Sequence, residues 1–193
     1  LAIPEDRHIL VSVSRLTREK NIDFIVEAMA ALRSRIGDSF HLIFIGAGSE
    51  QERLQRRIEE LGLAGMVTLT GAVPPSEVRN YLHLSDVFVF ASKSETQGMV
   101  ILEAMAAGVP VVAVRSSGID DAVQERVNGF KTAENISAWI QALQQLLQDQ
   151  TLYSDMSRQA AAFAEQHSVQ RFAQNMIATY EEAMALYDLQ EER

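Results

Sequence analysis

Short runs of apolar residues, rich in Val, Ile and Phe, recur along this chain. Each is followed by a stretch whose apolar residues return every three or four positions, and that alternation leaves few folds open. The runs are HILVSVS (8–14), FHLIFIG (40–46), MVTLT (66–70), DVFVFA (86–91) and PVVAV (110–114). They read as parallel strands covered on both faces, which are near-continuously hydrophobic. A sixth, weaker strand is expected at Gly129–Thr132, after the Asn128-Gly129 turn signal. Between the first two runs, Ile22, Ile25, Val26, Met29 and Leu32 form one helical stripe, with Asn21 as the expected N-cap. Ser49 and Glu52 have the spacing of a capping box ahead of Leu54, Ile58 and Leu61, and Gly62 ends that helix. Ser76 is expected to cap a helix carrying Val78, Tyr81 and Leu82. The next helix starts at Gly98 or Met99 and is stopped by Gly108 and Pro110. From Asn135 onward the pattern is wholly helical, at 136–148, 152–166 and 169–187.

Strand-helix alternation of this kind predicts an α/β fold. The expectation is a doubly wound, Rossmann-like parallel sheet of six strands, helices on both faces, and a helical C-terminal segment. Its 193 residues suit one domain, taken as 1–193. There are no cysteines, so neither disulfides nor thiolate metal sites enter, which fits a reducing compartment. The net charge of −9 argues against a general nucleic-acid binder. No apolar run reaches the roughly 18 residues that span a bilayer. The chain opens on Leu rather than Met, and we read it as a piece of a longer protein.

In a doubly wound sheet ligands sit at the carboxyl ends of the strands, so the loops after the strands deserve the closest reading. SKSETQGMVILEAMAAGVPVV (92–112) puts Glu95 before a glycine, Gly98, and Glu103 one turn into the following helix. The backbone amides of Gly98, Met99 and Val100 lie at the helix N-terminus, where unpaired N–H groups and the macrodipole favour an anion. A diphosphate there leaves an attached ribose near Glu103 and a sugar near Glu95. Glu103 taken alone equally suits solvent, although a charge inside an apolar run is costly without a partner. Arg15 and Lys20, in SRLTREKN after the first strand, bring a planar fork and a point charge to the same end of the sheet. By themselves they also read as a solvated loop. Gly46 and Gly48 in IGAGSE permit close backbone approach, to a ligand or simply in a tight turn. As a dinucleotide fingerprint the segment lacks its third glycine and follows the second strand. TGAVPPSE (70–77) is a rigid loop that either holds one face of a flat base or serves only as a turn. His8, His41, His83 and His167 have neither metal nor triad spacing, and Trp139 fits helix packing.

Together these segments resemble the C-terminal, donor-binding domain of the two-domain retaining glycosyltransferases, the large family 4. The resemblance runs from His8 to Phe130, more loosely to Tyr180, and also includes VNGF (127–130). It implies that Arg15 and Lys20 neutralise the donor diphosphate, that Glu103 binds the ribose, and that Glu95 faces the donor sugar. It implies phosphate contacts from the amides of Gly98, Met99 and Val100, and places Val73 near the base. The implied donor is a nucleoside-diphosphate sugar, UDP-, GDP- or ADP-linked, with no permanently bound cofactor and no metal. The acceptor, a lipid or a saccharide, is held mainly by an N-terminal domain, onto which the helix at 169–187 packs back. The implied location is the cytoplasm, with membrane association of the full-length protein. Four segments depart from the family pattern. Ser14-Arg15 and Lys20-Asn21 stand for Gly-Arg and Lys-Gly, Thr96-Gln97 stands for a Gly- or Phe-containing loop, and Ser117-Gly118-Ile119-Asp120-Asp121 stands for Gly-Gly-x-x-Glu. The alternatives are a nucleotide-sugar epimerase of the same architecture and a dinucleotide-binding module.

Overall fold

The computed structural model describes residues 3–93, 95 and 98–191, with the backbone alone for 185, 186 and 188–191. Six parallel strands form one sheet: β1 (His8–Val13), β2 (Phe40–Ile45), β3 (Val67–Leu69), β4 (Val87–Phe90), β5 (Val111–Val114) and β6 (Gly129–Thr132). Their order is β3-β2-β1-β4-β5-β6. The chain winds outward from β1 to one edge, returns to the other side of β1 as β4, and winds outward again. In register, Val13 of β1 lies beside Ile45 of β2, and Val11 beside Phe88 of β4.

Successive residues of a strand point to opposite faces. Leu10, Leu42, Phe44, Val87, Val89 and Val112 enter one core, while Val11, Ile43, Ile45, Phe88, Phe90 and Val111 enter the other. Both faces are therefore buried, which is why the strands read as unbroken apolar runs. The first core is closed by α1 (Ile22–Ile36), α2 (Gln51–Glu60) and α5 (Ile136–Gln148). Trp139 of α5 is fully buried there, edge-on to Phe24 with ring centres 5.8 Å apart, so it packs as its helical spacing suggested. The second core is closed by α3 (Pro75–His83), α4 (Met99–Ala106) and α6 (Gln150–Gln166). The last helix, α7 (Val169–Glu191), leaves Val169, Phe172, Ile177, Tyr180, Met184 and Tyr187 exposed.

Several helix starts differ from expectation. The helix α2 begins after Glu50, with no side-chain cap from Ser49; Glu50 instead pairs with Arg53 and Arg18. The helix α3 begins at Pro75, whose fixed φ suits a first helical position, so Ser76 sits inside the helix. The helix α6 starts at Gln150 because Asp149 accepts from the Leu152 amide at 3.0 Å. Asn21 is at the N-cap position of α1 but does not cap. It holds a left-handed φ of 53° and its amide donates to Glu134 at 3.1 Å.

His41 of β2 is buried, its Nε2 2.8 Å from Thr68 Oγ1. Burial, and then the charge of Arg7, holds its imidazole below the ordinary value of 6.5. The unfolded chain therefore takes up a proton before the folded one does. This group's contribution to stability is complete above pH 6.5 and is lost as pH falls toward the depressed folded value. The melting temperature is expected to drop between about pH 7 and pH 5, with a shallower slope in His41→Gln. Identical slopes for both proteins would contradict this assignment.

Candidate functional site

Reversal of the winding direction between β1 and β4 splays apart the loops that leave their carboxyl ends, and a crevice opens between them. The loops after β1, β2 and β3 are stitched into one wall. Ser14 donates to Ile45, Leu16 to Ala47 and Gly46 to Gly71, at 3.1, 3.1 and 2.9 Å. Glycine is required at two places in that wall. A Cβ at Gly46, where φ is 135°, would collide with the Ser14 carbonyl, and one at Gly48 would collide with the Leu16 backbone. On the far side, the Lys93 amide donates to the Glu19 carbonyl at 3.0 Å and ties the β4 loop to the 3-10 turn Arg18–Lys20.

Between the walls lies a cleft of about 640 Å³. Arg15 and Lys20 line it from the β1 loop, Gly46 and Ala47 from the β2 loop, Ala72 and Val73 from the β3 loop, and Glu95, Met99, Val100 and Glu103 from the β4 side. Lys20 Nζ donates to Glu95 Oε2 at 3.0 Å, with only 15% and 19% of the two side chains exposed. Arg15 lies 3.5 Å from Glu19 and is 75% exposed, so its guanidinium remains accessible at the rim. Lys93 pairs with Glu134 at 2.7 Å instead. That bond, followed by the one from Asn21, holds the Glu134 carboxyl below its usual range.

Glu103 is exposed on the cleft side of α4, while Ile101, Ala104 and Met105 beside it are buried. Its apolar sequence neighbours point into the core, so the carboxylate is not desolvated as the run alone suggested. Gly98 precedes α4 with a left-handed φ of 57°, and its carbonyl accepts from Ile101 and Leu102 at 2.8 and 3.3 Å. The Met99 and Val100 amides thus lie ahead of the helix's own bonding pattern, beside the cleft.

Eight of the ten residues singled out above, Arg15, Lys20, Gly46, Val73, Glu95, Met99, Val100 and Glu103, share this cleft. Gly48 lies behind its wall, where it lets two loops approach, and Gly98 sits at the helix start rather than in the lining. Ser94, Thr96 and Gln97 lie outside the described residues.

Two residues of α3 that were not singled out as site candidates line an adjoining pocket. Through Val13, Val73, Val78 and Glu103 the cleft continues into a pocket of about 520 Å³, lined also by Arg79 and His83 of α3. Arg79 Nε donates to His83 Nε2 at 3.3 Å. Their four-residue spacing on the helix that follows the Pro-Pro loop was the available signal. Among the described residues, no group of three or more His, Asp and Glu side chains is placed to hold a metal ion, and no helix is long and apolar enough to cross a membrane.

The chain has relatives in sequence and in fold. The chain is 35% identical over 186 residues to a D-inositol 3-phosphate glycosyltransferase of Paenarthrobacter aurescens, covering 94% of this chain and 45% of that protein. It is 37% identical over 131 residues to a GDP-mannose-dependent alpha-(1-6)-phosphatidylinositol monomannoside mannosyltransferase of Mycolicibacterium smegmatis, covering 64% of this chain and 34% of that one. The crystal structure of Anabaena HepE in complex with UDP superposes with a TM-score of 0.81 at 25% identity, over 92% of this chain and 49% of HepE. The chain thus spans less than half the length of these relatives. The family described as Glycosyl transferases group 1 matches residues 1–163, and the chain belongs to that family.

Proposed function

We propose that this chain is the nucleotide-sugar-binding domain of a retaining glycosyltransferase whose acceptor-binding domain occupies the remainder of the relatives' length. The observation that carries the reading is a single cleft holding two cations, two carboxylates and a helix N-terminus at the reversal point of the sheet. A pyrophosphate fits between Lys20, Arg15 and the Met99 and Val100 amides. The ribose then falls against Glu103, the base against Val73 and the adjoining pocket, and the sugar near Glu95.

The charges lining the cleft balance, with Lys20 on Glu95. Two unit charges about 4 Å apart attract by about 4 kcal/mol in a partly buried site, and the attraction scales with charge. A diphosphate, with at least two negative charges, outcompetes one carboxylate for Lys20 and releases Glu95 toward the sugar hydroxyls. When the bond between the sugar's anomeric carbon and the diphosphate oxygen breaks, the electron pair leaves on the diphosphate. Arg15, Lys20 and the helix amides, by then in contact with the bound diphosphate, stabilise that charge without further reorganisation. This role requires no resident metal. The acceptor hydroxyl arrives from the other domain, its oxygen bonds to the anomeric carbon and its proton passes to an oxygen of the departing diphosphate, so the isolated chain binds donor but transfers little sugar.

The relatives' names and the HepE complex involve uridine and guanosine nucleotides and lipid-linked or inositol phosphate acceptors, which supports a nucleoside-diphosphate sugar without selecting the base. A lipid acceptor brings the full-length protein to the cytoplasmic face of a membrane. The exposed apolar side of α7 is covered, in this proposal, by the acceptor domain.

The first test is a thermal-shift panel of UDP, GDP, ADP and their glucose and mannose esters, since a ligand of the native state raises its stability. By calorimetry with the best binder, Lys20→Ala is expected to weaken diphosphate binding about ten- to a hundredfold, the worth of a charged hydrogen bond, and to leave the nucleoside alone. Glu103→Ala is expected to weaken both. Failure of both effects would refute the site. Glu95→Gln is expected to tighten the free diphosphate and to loosen the sugar ester, and a parallel loss of both would refute the exchange of partners at Lys20.

A further inference from the structure

The sugar end of the cleft depends on where the Glu95 backbone sits, and what limits it is a residue on another strand's loop. Gly118 lies in the 3-10 turn Ser117–Ile119 that follows β5. A Cβ built on it would overlap the Glu95 carbonyl group and come within 3.0 Å of the Glu95 Cβ. A Cβ at Gly98 would approach the Gly118 carbonyl to 3.3 Å. Gly118 therefore meets both Glu95 and Gly98 backbone against backbone.

The Gly118 turn is fixed from behind. Ile119 is fully buried, and Lys131 of β6 donates to the Asp120 carbonyl at 2.9 Å and to its carboxylate at 3.1 Å. The Glu95 backbone rests against that fixed surface while its carboxylate reaches across to Lys20.

We propose that Gly118 is a positioning residue for Glu95: the bare backbone at 118 lets residue 95 sit deep enough for its carboxylate to meet the donor sugar. This rests on reading the cleft as a donor site. A side chain at 118 pushes the Glu95 backbone away from the 3-10 turn. A displacement of about 1 Å is enough to cost about a hundredfold where geometry matters. The three atoms nearest a Cβ at 118 all belong to Glu95, so residue 95, rather than Arg15, Lys20 or the α4 amides, is what the side chain strikes.

The test is calorimetry of Gly118→Ala with UDP and UDP-glucose, or with GDP and GDP-mannose if the guanosine pair binds the wild type. The sugar ester is expected to bind at least about tenfold more weakly and the free diphosphate no more weakly than before. In a Glu95→Ala background the same substitution is expected to change sugar-ester affinity by less than about twofold, because its effect passes through Glu95. Three results would overturn the proposal. They are equal losses for both ligands, a full loss that persists without the Glu95 carboxylate, or a Gly118→Ala protein that fails to fold, which would make the contact a support of the sheet. A wild-type protein that binds neither nucleotide pair would refute the donor-site reading itself and this inference with it.

Discussion

Lys20 and Glu95 are 75 positions apart in the chain and 3.0 Å apart in space. They meet because β1 and β4 are neighbours in the sheet although two strands and three helices separate them in sequence. That adjacency is the point where the winding reverses, so it both opens the crevice and places opposite charges on its two sides. A cation facing a carboxylate across a half-buried cleft is satisfied when empty and still able to change partner. The chain's overall charge of −9 would otherwise oppose an anionic ligand. The pair allows a local cation to be kept in an acidic protein without being left unpaired.

Backbone proximity is the second constraint. At Gly46, Gly48 and Gly118 a side chain would strike a neighbouring main chain. These positions let the loops after β1, β2, β4 and β5 stand close enough for short contacts across the cleft. Conformation explains one departure from the family pattern. Residue 21 holds a left-handed φ of 53°, which glycine adopts freely and asparagine tolerates better than most residues. Asn21 therefore replaces glycine after Lys20 without moving the lysine, and it adds a bond to Glu134.

Much of the fold was legible because the strands are buried on both faces, and burial on both faces writes itself as unbroken apolar runs. Even the short β6 was marked, by Asn128-Gly129. The lining of the cleft was legible where charge stood in a loop or helix start beyond the carboxyl end of a strand, as with Arg15, Lys20, Glu95 and Glu103. What was not legible depends on three-dimensional proximity. Ser49 and Ser76 look like caps, yet one helix starts after Glu50 and the other on Pro75. Gly48 looks like a ligand contact, yet its neighbour is Leu16. Gly118 stood out only as part of a segment that resembles Gly-Gly-x-x-Glu, and its contact with Glu95 appears only in three dimensions.

Donor binding turns on Lys20 changing partners, and a crystal structure of the protein with the sugar nucleotide that stabilises it most tests this directly. The expected result is a pyrophosphate between Lys20, Arg15 and the start of α4, with Lys20 Nζ on a phosphate oxygen, Glu95 turned to the sugar, and Glu103 on the ribose hydroxyls. A nucleotide bound elsewhere, or one bound here with the Lys20–Glu95 pair unbroken, would contradict it.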